Sequence, residues 1–379
     1  MRGFLHGARR GPAKIVVMRK ILSYARELHA MGPANNDRLS AVRVGLSVAA
    51  PLLFLLAIGR PELSLYAVFG GLTAMYGRNE SHQLRLRHQL QAAVVLVGGV
   101  SVGVFLAVNH IHSWGLVAVE ALLAGVGSLY ADRVRLKPNG PFFGILALGA
   151  CASVPVTAPF AVAVLIAAAS AAFSLLVGFA GWLRVRAWKS GAMREAPKRT
   201  PETRQAAVVH AARYITAVGV AGSIGVLSGS GYPHWAMAAA AVPLAGADMP
   251  SAVHRGIHRI VGTFLGLGIV AVVLFPGPLS PLQYFPATVV LVLLVILCQF
   301  FTELFMTRHY GWAMVFFTPV ILLMTELAAV TDPARLITER AAETLIGALT
   351  GIAVVVLIRR RPRSAGSPTP AAASSGDLP

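Results

Sequence analysis

From its N-terminus the chain alternates apolar runs with short polar gaps. The runs fall at residues 42–59, 62–77, 90–109, 113–131, 141–157 and 159–183, then at 209–228, 232–247, 257–276, 284–301, 311–328 and 338–358. Most are close to the ~20 consecutive apolar residues that carry a helix across a bilayer. In lipid every backbone N–H and C=O must be satisfied within the protein, so such runs predict helices rather than open strands. The pattern predicts an all-α polytopic membrane protein with about twelve transmembrane helices. The polar stretches divide it: a basic segment over 1–40, a first membrane block over 41–183, a charged linker over 184–208, a second block over 209–358 and a Pro/Ser/Ala-rich tail over 359–379, expected to be disordered.

Composition agrees with the pattern. The chain is 56% hydrophobic and 13% charged; a soluble domain of its size needs roughly 25% charged residues to face water. The net charge of +18 would suggest nucleic acid in a soluble protein. Here the cations sit in the gaps between apolar runs, so nucleic-acid binding is not expected. With the N-terminus inside, the inner connections hold Arg78, Arg85, Arg87, Arg133, Arg135, Lys137, Arg255, Arg259, Arg308 and the arginines from 359, while the outer ones hold Arg60, Arg335 and Arg340. That is the positive-inside distribution, and it predicts both termini cytoplasmic in the inner (plasma) membrane. Cys151 and Cys298 lie in apolar runs and read as small buried hydrophobes. The N-terminal segment lacks a signal-peptide core, so the first span is expected to direct insertion. Its stretch with Ile21, Ala25 and Leu28 reads as a surface-lying helix or a solvated tail.

A shift of about 170 residues lays the second block over the first. Arg43 then matches Arg213, Leu65-Tyr66-Ala67 falls near His234-Trp235-Ala236, Arg85 meets Arg255, and Gly140 pairs with Gly311. Six runs per block is an even number, so two parallel six-helix repeats are expected, related by an axis along the membrane normal. Short or Gly/Pro-interrupted segments at corresponding positions mark the transport path in such proteins. The second run of each block fits, with Gly70 and Gly71 in one and Pro243 in the other.

His234-Trp235-Ala236, Pro243, Arg255, Arg259, Gly262-Thr263 and Gly266 together resemble the FUSC family of fusaric-acid-resistance-like integral membrane transporters, related to aromatic acid exporters. The first block matches more loosely, through Arg43, Tyr66, Arg85 and Arg87, and lacks the Gly-Thr pair. The resemblance implies efflux of small, often aromatic, organic acids, with Thr263 part of the motif. Larger family members carry a soluble domain between the membrane halves; here only 184–208 intervenes.

Candidate chemistry follows from residue type and position. Arg255 and Arg259 are one helical turn apart and could draw a carboxylate to the inner mouth, or anchor to lipid phosphate. Arg85 with Arg87 raises the same pair of readings, and Arg43 and Arg213 read as transport cations, ion-paired residues or snorkelling ones. Tyr66 and Trp235 are interface anchors or platforms for an aromatic ring. His234 could titrate near neutrality. Glu120 and Glu343 lie inside apolar runs, where carboxylates are costly, so both are proton-relay candidates; Arg340, three residues away, offers Glu343 a structural pairing instead. His254 and His258 lack the partners of a zinc site, and no metal, cofactor or enzymatic motif is expected. The expected partners are the bilayer and a small organic anion, and the pattern is compatible with either a monomer or a homo-oligomer. A major-facilitator-like carrier and a non-transporting membrane scaffold are the alternatives.

Overall fold

A computed structural model describes residues 31–33, 37–180, 201–246 and 248–358. The expected surface helix near Ile21, most of the linker and the C-terminal tail lie outside the described residues. Among those described, all regular structure is helical: α1 (Asp37–Ala57), α2 (Ser64–Gly71, flanked by 3-10 turns Pro61–Leu63 and Leu72–Met75), α3 (His82–Val108), α4 (Trp114–Val134), α5 (Phe142–Ser153) and α6 (Phe160–Phe179). After the linker come α7 (Pro201–Leu227), α8 (His234–Leu244), α9 (Met249–Leu274), α10 (Ala287–Phe305), α11 (Tyr310–Ala328) and α12 (Pro333–Leu357). Helix α7 begins at Pro201, inside the stretch assigned to the linker from its charge; a proline in the first turn loses no helical hydrogen bond there.

Nine of these helices are long and apolar enough to cross a membrane. The other three are short. Helix α8, with 11 residues, extends about 16 Å, roughly half the hydrocarbon thickness. Every residue of α8 and of α2 is buried, and α5 is buried almost throughout. A helix that is apolar all round belongs inside protein, and these three form the centre, sheathed by longer helices. The long helices turn Leu53, Phe54, Val94, Phe105, Leu122, Leu165, Leu265, Leu293 and Leu349 outward. Large apolar side chains outside and Ala, Gly and Ser inside suit packing against lipid, where close backbone approach replaces hydrophobic drive.

The packing of α1–α6 recurs in α7–α12. Contacts α1–α2, α1–α6, α2–α6, α3–α5 and α3–α6 reappear as α7–α8, α7–α12, α8–α12, α9–α11 and α9–α12. Local details recur too. Gly59 and Gly229 follow α1 and α7 at φ +70° and +76°, and Arg60 N–H and Ser230 N–H bond back to Leu55 and Gly225 carbonyls. Only glycine takes that left-handed turn without strain. A β-carbon on Gly99 or Gly103 would come within 2.6 or 2.4 Å of carbonyl oxygens on α5, and one on Gly262 or Gly266 within 2.5 or 2.6 Å of carbonyl oxygens on α11. These two G-x-x-x-G faces bring α3 onto α5 and α9 onto α11 at matching close approach.

The halves meet along two seams, α1 on α10 and α4 on α7. In the first, Ser40 Oγ donates to Glu303 at 2.9 Å. Arg78 reaches Asp37 at 3.0 Å and Glu303 at 3.2 Å, and Arg308 reaches Asp37 at 3.1 Å. In the second, His210 sits 3.2 Å from Asp132 and 3.1 Å from the Leu244 carbonyl oxygen.

Candidate anion site

The glycine faces provide the register for comparing the halves. Counting back from Gly99 and Gly262, Arg259 of α9 stands where α3 has Leu96, and Thr263 stands where α3 has Val100. Both Arg259 and Thr263 are fully buried. Helix α12 brings Arg340, Glu343 and Thr344 to its buried face. The buried face of α6 has only Ala163, Ala167, Ser170, Ala171, Ser174 and Gly178. The second half therefore encloses two guanidinium groups where the first half has, on the same faces, only apolar residues and the Ser170 and Ser174 hydroxyls.

The guanidinium of Arg340 lies over the Trp235 ring, 5.1 Å from its centroid, and Arg259 lies over Phe142 at 5.4 Å. Tyr232 stacks on Trp235, 4.4 Å between ring centroids and 17° from parallel. Arg259 Nη1 reaches the Met314 sulfur at 2.9 Å. The other guanidinium nitrogens of Arg259, all three of Arg340, Trp235 Nε1 and the Thr263 and Thr344 hydroxyls have no hydrogen-bond partner among the described residues. Aromatic faces attract cations but leave the N–H edges unsatisfied. Arg259 also has the Tyr310 hydroxyl beside it, yet the two buried guanidiniums and the indole N–H still offer more donors than the few hydroxyl oxygens can accept. The chemistry that completes such a donor-rich set is an anion. Phe142 belongs to α5, so the first half supplies one wall.

Glu343 is close enough to act electrostatically on Arg340, as their spacing suggested, but no hydrogen bond joins them. Its Oε2 accepts instead from Ala236 N–H at 3.2 Å, in the first turn of α8. Arg335 and Glu339 pair with each other at 2.6 Å nearer the helix end.

The remaining candidates are spread out. Arg255 lies over the Tyr310 ring at 5.6 Å, a few residues below Arg259 on α9. Trp235 is fully buried, not at an interface, and neighbours His234, whose Nδ1 is 2.8 Å from Ser153 Oγ. Glu120 is buried on α4 across from His234 and Gly149. Tyr66 lies in the first half, bonded to Thr157 at 3.1 Å. Arg85 donates to the carbonyls of Gly77, Glu80 and Gly178, which ties a loop and α6 to α3. Arg43 bonds Ser40 and the Arg78 carbonyl, and Arg213 bonds the Ile358 carbonyl just past the end of α12. The structure thus gathers Arg259, Thr263, Trp235, His234 and Glu343, with Arg255 adjoining, and leaves Tyr66, Arg85, Arg43 and Arg213 elsewhere.

Sequence reasoning passed over Arg340, Thr344 and Phe142. Arg340 sits near the start of the last apolar run and reads there as an outer-loop cation. The available signal was its spacing: Leu336, Arg340, Glu343, Thr344 and Gly347 fall on one helical face with the small residues that mark a packed interface.

Residues 219–354 match the family model of fusaric acid resistance protein-like proteins, which bears out the family resemblance over the half that holds both arginines. No curated protein and no solved structure matches the chain.

Proposed function

We propose, from a second half that is fusaric acid resistance protein-like, that this multi-pass membrane protein exports small aromatic organic acids. Twelve helices form two parallel six-helix repeats with both termini in the cytoplasm, in the inner membrane, and the substrate carboxylate binds between Arg259 and Arg340. The observation that carries this reading is the pair of buried guanidiniums with unpartnered N–H edges in one half only. A charge held away from water is costly unless paired, so two cations with no carboxylate bonded to them favour an anionic ligand strongly. Thr263, Thr344 and Trp235 Nε1 add neutral donors around the carboxylate, while the faces of Trp235 and Phe142 suit an aromatic ring. The recurring helix contacts and the matched glycine turns support the two-repeat arrangement.

Uptake of radiolabelled benzoate into inverted membrane vesicles tests the assignment. Removing one member of a buried charge pair costs about 2–5 kcal/mol, so Arg340→Ala and Arg259→Ala should each lower uptake at limiting benzoate by about 30-fold or more. Rates equal to wild type in both variants, at equal protein in the membrane, would exclude the arginine pair.

A further inference from the structure

Glu120 has no place in the anion site, yet it is among the least comfortable groups in the molecule. It lies mid-helix on α4, fully buried, and neither carboxylate oxygen has a hydrogen-bond partner among the described residues. The space it occupies is kept open by a glycine: a β-carbon on Gly149 of α5 would sit 2.9 Å from Glu120 Oε2 and 2.5 Å from His234 Cβ. Glu120, Gly149 and the first residue of α8 therefore meet at one point.

We propose that Glu120 is a proton-binding site linked through the first turn of α8 to the anion site, so that the protein carries a proton together with the organic anion. The linkage rests on the anion reading above. Two adjacent residues of α8 face the two sites: His234 faces Glu120, and Trp235 carries Arg340 on its ring. The next backbone N–H, that of Ala236, is held by Glu343. A shift of this turn on anion binding is felt at Glu120.

The surroundings of Glu120 supply few competing charges. From α8 it meets His234, which Ser153 of α5 holds at 2.8 Å. Helix α5 otherwise brings Gly149, and Cys151 points toward Gly103 of α3. Helix α7 offers apolar and small residues at this level, its His210, Arg213 and Tyr214 lying toward the Asp132 end of α4. A lone carboxylate without oxygen co-ligands binds a proton better than a metal cation, which needs several oxygens. The sign of the coupling follows from charge. Neutralising Glu120 removes a negative charge beside His234, the residue next to the tryptophan that carries Arg340, so protonation tightens anion binding, and by reciprocity a bound anion holds the proton on Glu120. No bond other than carboxyl O–H forms or breaks: one carboxylate and one proton give one carboxylic acid.

Two measurements on the full-length protein in liposomes test this. Infrared titration should show the C=O stretch of a protonated carboxyl in wild type, lost at high pH and absent in Glu120→Gln; benzoate should move its loss to higher pH. Absence of that band at every pH overturns the proton site. Benzoate affinity, measured where benzoate stays ionised, should rise about tenfold in wild type from about pH 9 to about pH 6, within the 5–150-fold span of linked sites. Glu120→Gln should bind at the low-pH affinity throughout, and His234→Gln should keep the slope. A slope that survives in Glu120→Gln but vanishes in His234→Gln, or follows sodium rather than pH, overturns the proposal. Failure of wild type to bind benzoate with the Glu120 band intact instead overturns the anion reading, and the linkage with it.

Discussion

The crevice bounded by α2, α3 and α6 and the one bounded by α8, α9 and α12 share a scaffold but not a chemistry. Both are sealed by a G-x-x-x-G face against the fifth helix of their half, and both fold a short buried helix against the sixth. In the first, Leu96, Val100 and the small residues of α6 fill the space; in the second, Arg259, Thr263, Arg340 and Thr344 do. The architecture therefore does not require the arginines. Groups that the fold can do without, yet that are buried at considerable cost, are the first candidates for ligand binding, which is the basis of the proposed anion site.

That contrast can be broken most sharply by exchange. Leu96→Arg puts a cation in a crevice with no carboxylate to pair with, and should lower the stability of the detergent-solubilised protein by several kcal/mol. Arg259→Leu makes the opposite change and should melt at or above wild-type temperature, since replacing buried charge by apolar volume is neutral or stabilising. A thermal melt of both variants decides: if Arg259→Leu is the more damaging, the guanidinium is structural. Next in size, Gly103→Leu and Gly266→Leu should each cost at least about 1–3 kcal/mol, by similar amounts, because both drive a side chain into the facing backbone. Strongly unequal losses of folded protein in size-exclusion profiles would argue against equivalent faces.

The smallest effect separates the entrances of α3 and α9. Ser81 caps α3 without a side-chain hydrogen bond, whereas Asp248 and Ser251 form a reciprocal capping box on α9. The Ser251 hydroxyl and backbone N–H hold the exposed Asp248 carboxyl below the ordinary carboxylate range. A depressed folded value means that its contribution is complete above the ordinary range and is lost as pH falls through the lowered value. Asp248→Ala should speed hydrogen exchange in the first turn of α9 near neutral pH and make no difference in strong acid. Ser81→Ala should leave α3 unchanged at both.

Much of this was legible along the chain. Apolar runs located the twelve helices of the described residues, and the shift of about 170 residues brought Arg43 onto Arg213. It also matched Arg85 with Arg255, whereas the glycine faces put Arg85 a further two turns from Gly99 than Arg255 is from Gly262. A uniform shift cannot follow gaps of unequal length. The shortness of α5 was missed because hydropathy counts apolar residues and not where the helix ends; Val154 is extended and stops it.

The sequence by itself determined the solvent of this protein. Apolar content, run length and cation placement are sums over many residues, and no single packing contact changes them. Tertiary structure decided which charges act together. Arg259 and Arg340 are 81 positions apart in the chain and run on different helices, so only the crossing of α9 and α12 over α8 brings them to one donor set. The same crossing gives Glu343 to a backbone N–H and leaves Arg340 without a hydrogen bond to it, because a hydrogen bond depends on where the acceptor points in space, which spacing along a helix does not fix.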